Sequence, residues 1–349
     1  MTTRHSIFIG PSQNMDSTKD NSIDLVVTSP PYPKIKMWDD IFAKQNPCIT
    51  YFLDNHPAFA FEAMHQELDK VWKECYRVLK EGGFLCVNIG DATRTFNGNF
   101  TLFNNHARIS TALLNIGFVG LPNIIWRKQT NTPNKFMGSG MLPCGAYVTM
   151  EHEWVLVFRK GGKRIYKDEK DKMNRMKSAF FWEERNAWFS DVWEVKGVKQ
   201  KLQNAASRDR SAAFPLEIPC RLVCMFSQME DTVMDPFLGT GTTMQAAILL
   251  GRNSRGYEID PDFEKVIRDN IESFDPNFYN DLYEKRVDAH KSFVANRKAA
   301  NKKIKHFNKK LGCEVMTEQE KQMELHRLES IHKDENTGQY VASYNMYKG

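Results

Sequence analysis

The stretch "DTVMDPFLGTGTTMQAAILLG", residues 231–251, decides how the fold is read. A short apolar run ends on Asp235, Gly239 and Gly241 occupy the turn, and the residues from Thr242 onward carry helix-forming composition. A strand, a glycine-rich turn and a helix in succession form the repeating unit of a parallel sheet with helices on its faces. Glycines let the backbone approach a ligand closely, and a helix start offers unpaired N–H groups and the positive end of the dipole. One βα unit later, "RGYEID" (255–260) reads as the next strand, with Glu258 placed to hold ribose hydroxyls. The GxGxxG and GK[ST] fingerprints are both absent from this turn, which disfavours a dinucleotide and a nucleoside triphosphate.

Upstream, the same alternation recurs. Residues 6–9 and 23–28 are short apolar strands, and "FLCVNIGD" (84–91), "NIIWRK" (123–128) and "HEWVLVFRK" (152–160) are three more. From Phe61 to Leu79 the apolar residues Met64, Leu68, Val71, Trp72, Cys75 and Val78 follow helical spacing, and Gly82-Gly83 is expected to close that helix. A second amphipathic helix is expected over 107–115, stopping at Gly117. Past residue 280 the chain is expected to be basic and helical, and Thr317 with Glu320 forms a capping box for a polar helix. The expected class is α/β, a doubly wound sheet.

The second informative stretch is "DLVVTSPPY", residues 24–32, where a buried strand leaves through two prolines. Proline fixes φ, lacks a donor and forces its predecessor toward extended geometry, so the turn is stiff and its carbonyls stay open. An amino group conjugated to a ring is a poor nucleophile. Hydrogen bonds accepted from such a group by the Ser29 hydroxyl and the Pro30 carbonyl can pull the nitrogen toward tetrahedral geometry, and Tyr32 can stack on the ring. In isolation, a Pro-Pro strand terminator is the other reading.

Bulk composition narrows the class further. The 349 residues are 41% apolar with a formal net charge of +5, so any nucleic-acid footprint must be local. Residues 159–177 supply one, with nine Lys/Arg against three acids. Arg159, Lys160, Lys163, Arg164 and Arg175 are its candidate phosphate contacts. Seven cysteines include no CxxC pair, and nine scattered histidines give no metal-ligand spacing, so reduced thiols and no metal are expected. With no leader-like or membrane-length apolar run, a cytoplasmic protein is expected.

Together, "TSPPY" and "DPFLGTGTT" resemble the S-adenosylmethionine-dependent amino DNA methyltransferases. With the catalytic turn first and the cofactor turn late, the order resembles the circularly permuted β group. "HQELDKVWKECYRVLKEGGFLCVNIGD", "EHEWVLVFRKG" and "AAFPLEIPCRLVCMFS" extend the similarity. The resemblance implies a Rossmann-like methyltransferase sheet of permuted topology, divided as a catalytic half (1–126), a target-recognition region (127–212), a cofactor half (213–280) and a basic helical extension (281–349). It also implies S-adenosyl-L-methionine held by Asp235, Phe237, Gly239, Thr240, Gly241, Glu258, Phe214 and Pro215. A flipped base would be held by Ser29, Pro30, Pro31 and Tyr32 in double-stranded DNA. Serine in the first place implies the N4 amino group of cytosine, with adenine N6 the alternative. A restriction endonuclease is the implied companion, and the chain would act as a monomer or homodimer.

Two departures stand out. Where the family places an acid after the first strand, this chain has Pro11 and Ser12. The histidine-proline pair expected before "AAFP" is replaced by "RDRS". A cytosine-C5 enzyme would need a reactive Pro-Cys, and neither Pro143-Cys144 nor Pro219-Cys220 has the expected neighbours. A non-catalytic DNA-binding protein on the same fold is disfavoured by intact Ser29, Tyr32, Gly239, Gly241 and Glu258.

Overall fold

"IDLVVT", buried at every position, reads as a strand covered on both faces, and it lies in the middle of the sheet. The structure is a computed structural model that describes residues 1–128, 137–138, 141–197 and 214–347. Among the described residues the main sheet has eleven strands: β1 (Thr2–Ile9), β2 (Ile23–Thr28), β3 (Leu79–Ile89), β4 (Phe118–Gly120), β5 (Ile124–Lys128), β6 (His152–Lys160), β7 (Val192–Val195), β8 (Thr232–Asp235), β9 (Asn253–Glu258), β10 (His326–Lys333) and β11 (Tyr340–Met346). Their order is β7-β5-β6-β3-β2-β8-β9-β1-β11-β10, with β4 paired to β6.

The centre, β3-β2-β8-β9-β1, is parallel. Thr28, Ile89, Asp235, Glu258 and Ile9 therefore end on one rim. The chain runs outward from β2 to β3 and, much later, the other way from β8 to β9. The β2/β8 boundary is thus a topological switch point, where open α/β sheets bind ligands. One face is covered by helices Pro57–Val78 and Asn105–Ile116, the other by Glu217–Phe226, Thr242–Leu249 and Pro276–Ala299, and each face has its own apolar core. Among the described residues no helix is long and apolar enough to cross a membrane.

Three expectations need correction. The helix from Pro57 ends at Val78, and Gly82-Gly83 lie inside β3. A Cβ on Gly83 would sit 2.9 Å from the Lys80 carbonyl oxygen and 3.0 Å from that of Asp24, so close backbone approach explains the glycine. The basic extension is helical only to Ala299. Beyond it, β10 and β11 form a hairpin that adds β11 to β1 antiparallel, because Tyr340, Ala342 and Tyr344 alternate into the core with period two. Finally, the Thr317–Glu320 capping box is present but opens only a 3₁₀ turn, Glu318–Gln322.

Candidate active site

β2 breaks at the rim because Pro30 and Pro31 cannot donate to a ladder, and β8 breaks there because Pro236 follows Asp235. Their adjacency brings the two motifs into one cavity. Its wall includes Ser29, Pro30, Pro31, Phe214, Asp235, Phe237, Gly239, Thr240 and Glu258. Gly241 and Pro215 stand behind it, both buried. Gly241, at φ +87°, caps helix Thr242–Leu249.

The two strand ends are tied together. Thr28 Oγ1 donates to Asp235 Oδ1 at 2.6 Å, and the Phe237 amide donates to the same oxygen at 3.0 Å. Burial pushes the Asp235 carboxyl up to about 6, although those donors pull the other way. Glu258 accepts from the Gly239 amide at 2.8 Å and from the Asp260 amide at 2.9 Å. Burial raises its carboxyl above the usual range, opposed by these two amides.

Gly239 adopts φ +53°, and a Cβ built there would meet nothing closer than the Phe237 carbonyl oxygen at 3.9 Å. Its side-chain position is open space over the turn. Two buried carboxylates, an open glycine cradle and apolar walls from Trp38, Ile41, Ile259 and Phe263 suit a cationic, nucleoside-bearing ligand.

Tyr32 departs from the expected base-stacking face. It is 8% exposed, does not line the cavity, and its ring packs on Gly90, whose Cβ would lie 3.1 Å from it. Its hydroxyl donates to Glu153 Oε2 at 2.9 Å. Asn88 Nδ2 donates to the Tyr32 oxygen at 2.9 Å and to Glu153 Oε2 at 2.7 Å, and Lys128 forms an ion pair with Glu153 Oε1. Burial, then the Glu153 charge, holds the Tyr32 phenol well above its usual range, so it stays protonated.

The basic segment does not reach this rim. β6 runs antiparallel to β3, so its Arg159 pairs with Phe84, which in turn pairs with Leu25 near the start of β2. That places it about four residues, roughly 13 Å, down the sheet from Ser29. Lys160 is 7% exposed and donates to Asn21 Oδ1 and to the Tyr76 and Leu79 carbonyls. Arg164 clamps Asp231 with two hydrogen bonds, of 2.6 and 3.0 Å, and lies 3.5 Å from Asp24. Both expected phosphate contacts are thus already engaged within the protein, Lys160 by three neutral acceptors and Arg164 by two carboxylates. Arg159 bonds the Gly161 carbonyl, Arg175 stacks on Tyr166, and Lys163 is exposed at the same far end. An Arg164→Met chain is expected to lose about 3 kcal/mol of stability, because Asp24 and Asp231 would remain buried with one charge fewer. Thermal unfolding reads this, and DNA affinity is expected to be unchanged.

Sequence reasoning missed Ser12, Gln13, Trp38, Ile41, Gln45, Ile259, Asp260 and Phe263 on the cavity wall, and Asn88, Lys128 and Glu153 behind it. Trp38, Ile41, Phe42 and Gln45 stand at i, i+3, i+4 and i+7, an amphipathic signal that was available. Asn88 is a lone polar residue inside an apolar strand, which is itself a sign of a buried polar site. Of the expected recognition region, 129–136, 139–140 and 198–213 lie outside the described residues.

The sequence profile of a DNA methylase family, the N6/N4 methyltransferases, matches residues 23–269. The chain is 45% identical to the type II methyltransferase M.MthZI of Methanothermobacter thermautotrophicus, over 96% of this chain and 94% of that one. It is 49% identical to M.MjaI of Methanocaldococcus jannaschii, over 78% of this chain and 92% of the relative. The chain belongs to the N6/N4 DNA methylase family. Among solved structures, TTHA0409 of Thermus thermophilus, described as a candidate DNA modification methylase and complexed with S-adenosyl-L-methionine, superposes with a TM-score of 0.58. The identity is 31%, covering 76% of this chain and 94% of that chain. The PvuII DNA methyltransferase, cytosine-N4-specific, shares the fold, with a TM-score of 0.57 at 18% identity over 82% of this chain and 93% of that one.

Proposed function

We propose that this DNA methylase transfers a methyl group from S-adenosylmethionine to the N4 amino group of cytosine within a short duplex sequence, as a type II modification enzyme. The observation that carries the reading is the shared cavity: Ser29 and Pro30 on one wall, Asp235, Gly239 and Glu258 on the other. Glu258 would hold the ribose hydroxyls, Asp235 the cationic end, and Phe237, Trp38, Ile41, Ile259 and Phe263 the apolar remainder. The cofactor supplies an electrophilic methyl group on a sulfonium. Ser29 Oγ and the Pro30 carbonyl accept hydrogen bonds from the target amino group and keep its lone pair available. The base must leave the stack to reach them, at a cost of a few kcal/mol.

Cysteine chemistry is not needed. Burial pushes the Cys220 thiol far above its usual range, which leaves it a poor nucleophile, and Cys144 does not line the cavity. Serine at position 29 supports cytosine N4, and the type II relatives support a companion endonuclease. Mass spectrometry of nucleosides from DNA incubated with the protein and labelled S-adenosylmethionine tests the assignment. N4-methylcytosine is expected, and N6-methyladenine would overturn the choice of base while keeping the site.

Cofactor affinity should depend on pH through Asp235. With its folded value raised to about 6 from 3.8, folding binds a proton there. The bare chain therefore loses about 3 kcal/mol as pH rises from about 4 through 6. A cation prefers the ionised form, so affinity is expected to fall about tenfold per unit below pH 6. Calorimetric titration from pH 7.5 to 5 measures it, and Asp235→Asn should flatten the dependence.

A further inference from the structure

Behind Ser29 the structure holds a continuous chain of hydroxyls ending in a carboxylate. We propose that Glu153 is the positioning residue and final proton acceptor of the catalytic turn, acting on Ser29 through Tyr32. The inference rests on the role of Ser29 in the proposed methyl transfer.

The direction of each hydrogen bond sets the polarity of the chain. An ionised carboxylate only accepts, so Tyr32, 2.9 Å away, must donate its hydroxyl hydrogen to Glu153 Oε2. The Tyr32 oxygen is then left as an acceptor, and Ser29 Oγ lies 3.2 Å from it. Ser29 therefore points its own hydrogen inward, at Tyr32, and turns its lone pairs to the cavity. That is the polarity required to accept from a substrate N–H. Without the carboxylate the hydroxyls could reverse, and Ser29 would present a donor to a donor.

Asn88 reinforces the same sense. Its Nδ2 donates to both the Tyr32 oxygen and Glu153 Oε2, while its Oδ1 is buried with no partner among the described residues. An amide held that way, against the cost of an unpaired acceptor, is being oriented by the acid beside it. Among the described residues, the ionisable groups bonded to Glu153 are Lys128 from β5 and Tyr32 from the turn. β3 adds only the Asn88 amide, and Gly90 leaves room for the Glu153 stem. Lys128, also seated over the Trp126 ring, sets its positive charge directly against the Glu153 carboxylate.

The proton balance closes. Methylation leaves the amino nitrogen with one proton to lose. Its N–H bond breaks toward Ser29 Oγ, the Ser29 hydrogen passes to the Tyr32 oxygen, and the Tyr32 hydrogen passes to Glu153. The product base is neutral, both hydroxyls are restored, and Glu153 is protonated until solvent reclaims the proton. No further reactant is required.

The experiment compares single-turnover methylation at saturating S-adenosylmethionine, so that the titration of Asp235 does not enter through affinity. Variants are Glu153→Gln, Glu153→Asp, Tyr32→Phe, the Glu153→Gln/Tyr32→Phe pair and Ser29→Ala, each with cofactor affinity measured by calorimetry. Glu153→Gln is expected to slow the step about 100-fold with unchanged cofactor affinity and to flatten the acid limb of the pH–rate profile. Glu153→Asp should restore part of the rate and the limb. Because the two residues act in one chain, the double variant should be no slower than Tyr32→Phe alone. Glu153→Gln with the wild-type rate and pH profile, or with a uniform loss at every pH that adds to that of Tyr32→Phe, overturns the proposal. If Ser29→Ala itself keeps the wild-type rate, the turn assignment fails instead, and the two failures are separate.

Discussion

A Ser29→Ala chain is expected to bind S-adenosylmethionine as tightly as the unaltered protein and to methylate DNA at least about 100-fold more slowly. The change removes one oriented acceptor and leaves the rest of the rim intact, because Ser29 is not part of the Thr28–Asp235 tie. Losing one preorganised hydrogen bond at the reacting atom costs about 3 kcal/mol of barrier, which corresponds to that factor. Rapid-quench measurement of methyl transfer beside calorimetry of the cofactor separates the two effects. A comparable loss in both would place Ser29 in the cofactor site rather than at the target amino group.

The second large effect is expected at the opposite wall. Gly239→Val should reduce cofactor affinity by about 100-fold or more for two physical reasons. A β-branched residue is poorly tolerated at φ +53°, and its side chain would fill the open space over the turn. The Gly239 amide is also what fixes Glu258 Oε2, so displacing the turn moves the acid meant for the ribose. Glu258→Ala should reproduce the affinity loss without the backbone strain. Calorimetry reads both. Thermal unfolding should separate them, with Gly239→Val destabilised more than Glu258→Ala.

The parallel centre of the sheet was legible because it is written in contiguous residues. A strand buried on both faces is a run such as "IDLVVT", and a ligand-binding turn is a pair of glycines between strand and helix. What escaped was whatever depends on distant pairing. β11 joins β1 across more than three hundred residues, and neither strand shows its partner locally. The basic run 159–177 carried the charge expected of a DNA contact, but its position follows from the direction of β6, which composition cannot encode. Lys160 shows the difference most plainly. Its charge belongs to the surface by type, yet the side chain is buried and turns its ammonium onto Asn21 and the Tyr76 and Leu79 carbonyls. Glu153 escaped for the converse reason, since an acid in the second position of a strand looks solvated until Tyr32 and Asn88 close over it.

The short hydrogen bond between Thr28 and Asp235 joins neighbouring strands that carry the acceptor turn and the donor turn. No hinge lies between two groups on adjacent strands of one sheet, so under the proposed assignment the spacing of the two turns belongs to the fold itself. All adjustment falls to the nucleic acid and to the segments that choose where it binds. An ancestral chain could therefore acquire new target sequences by exchanging those segments alone. Its chemistry, inherited as one unaltered block, would diversify in address while staying constant in kind.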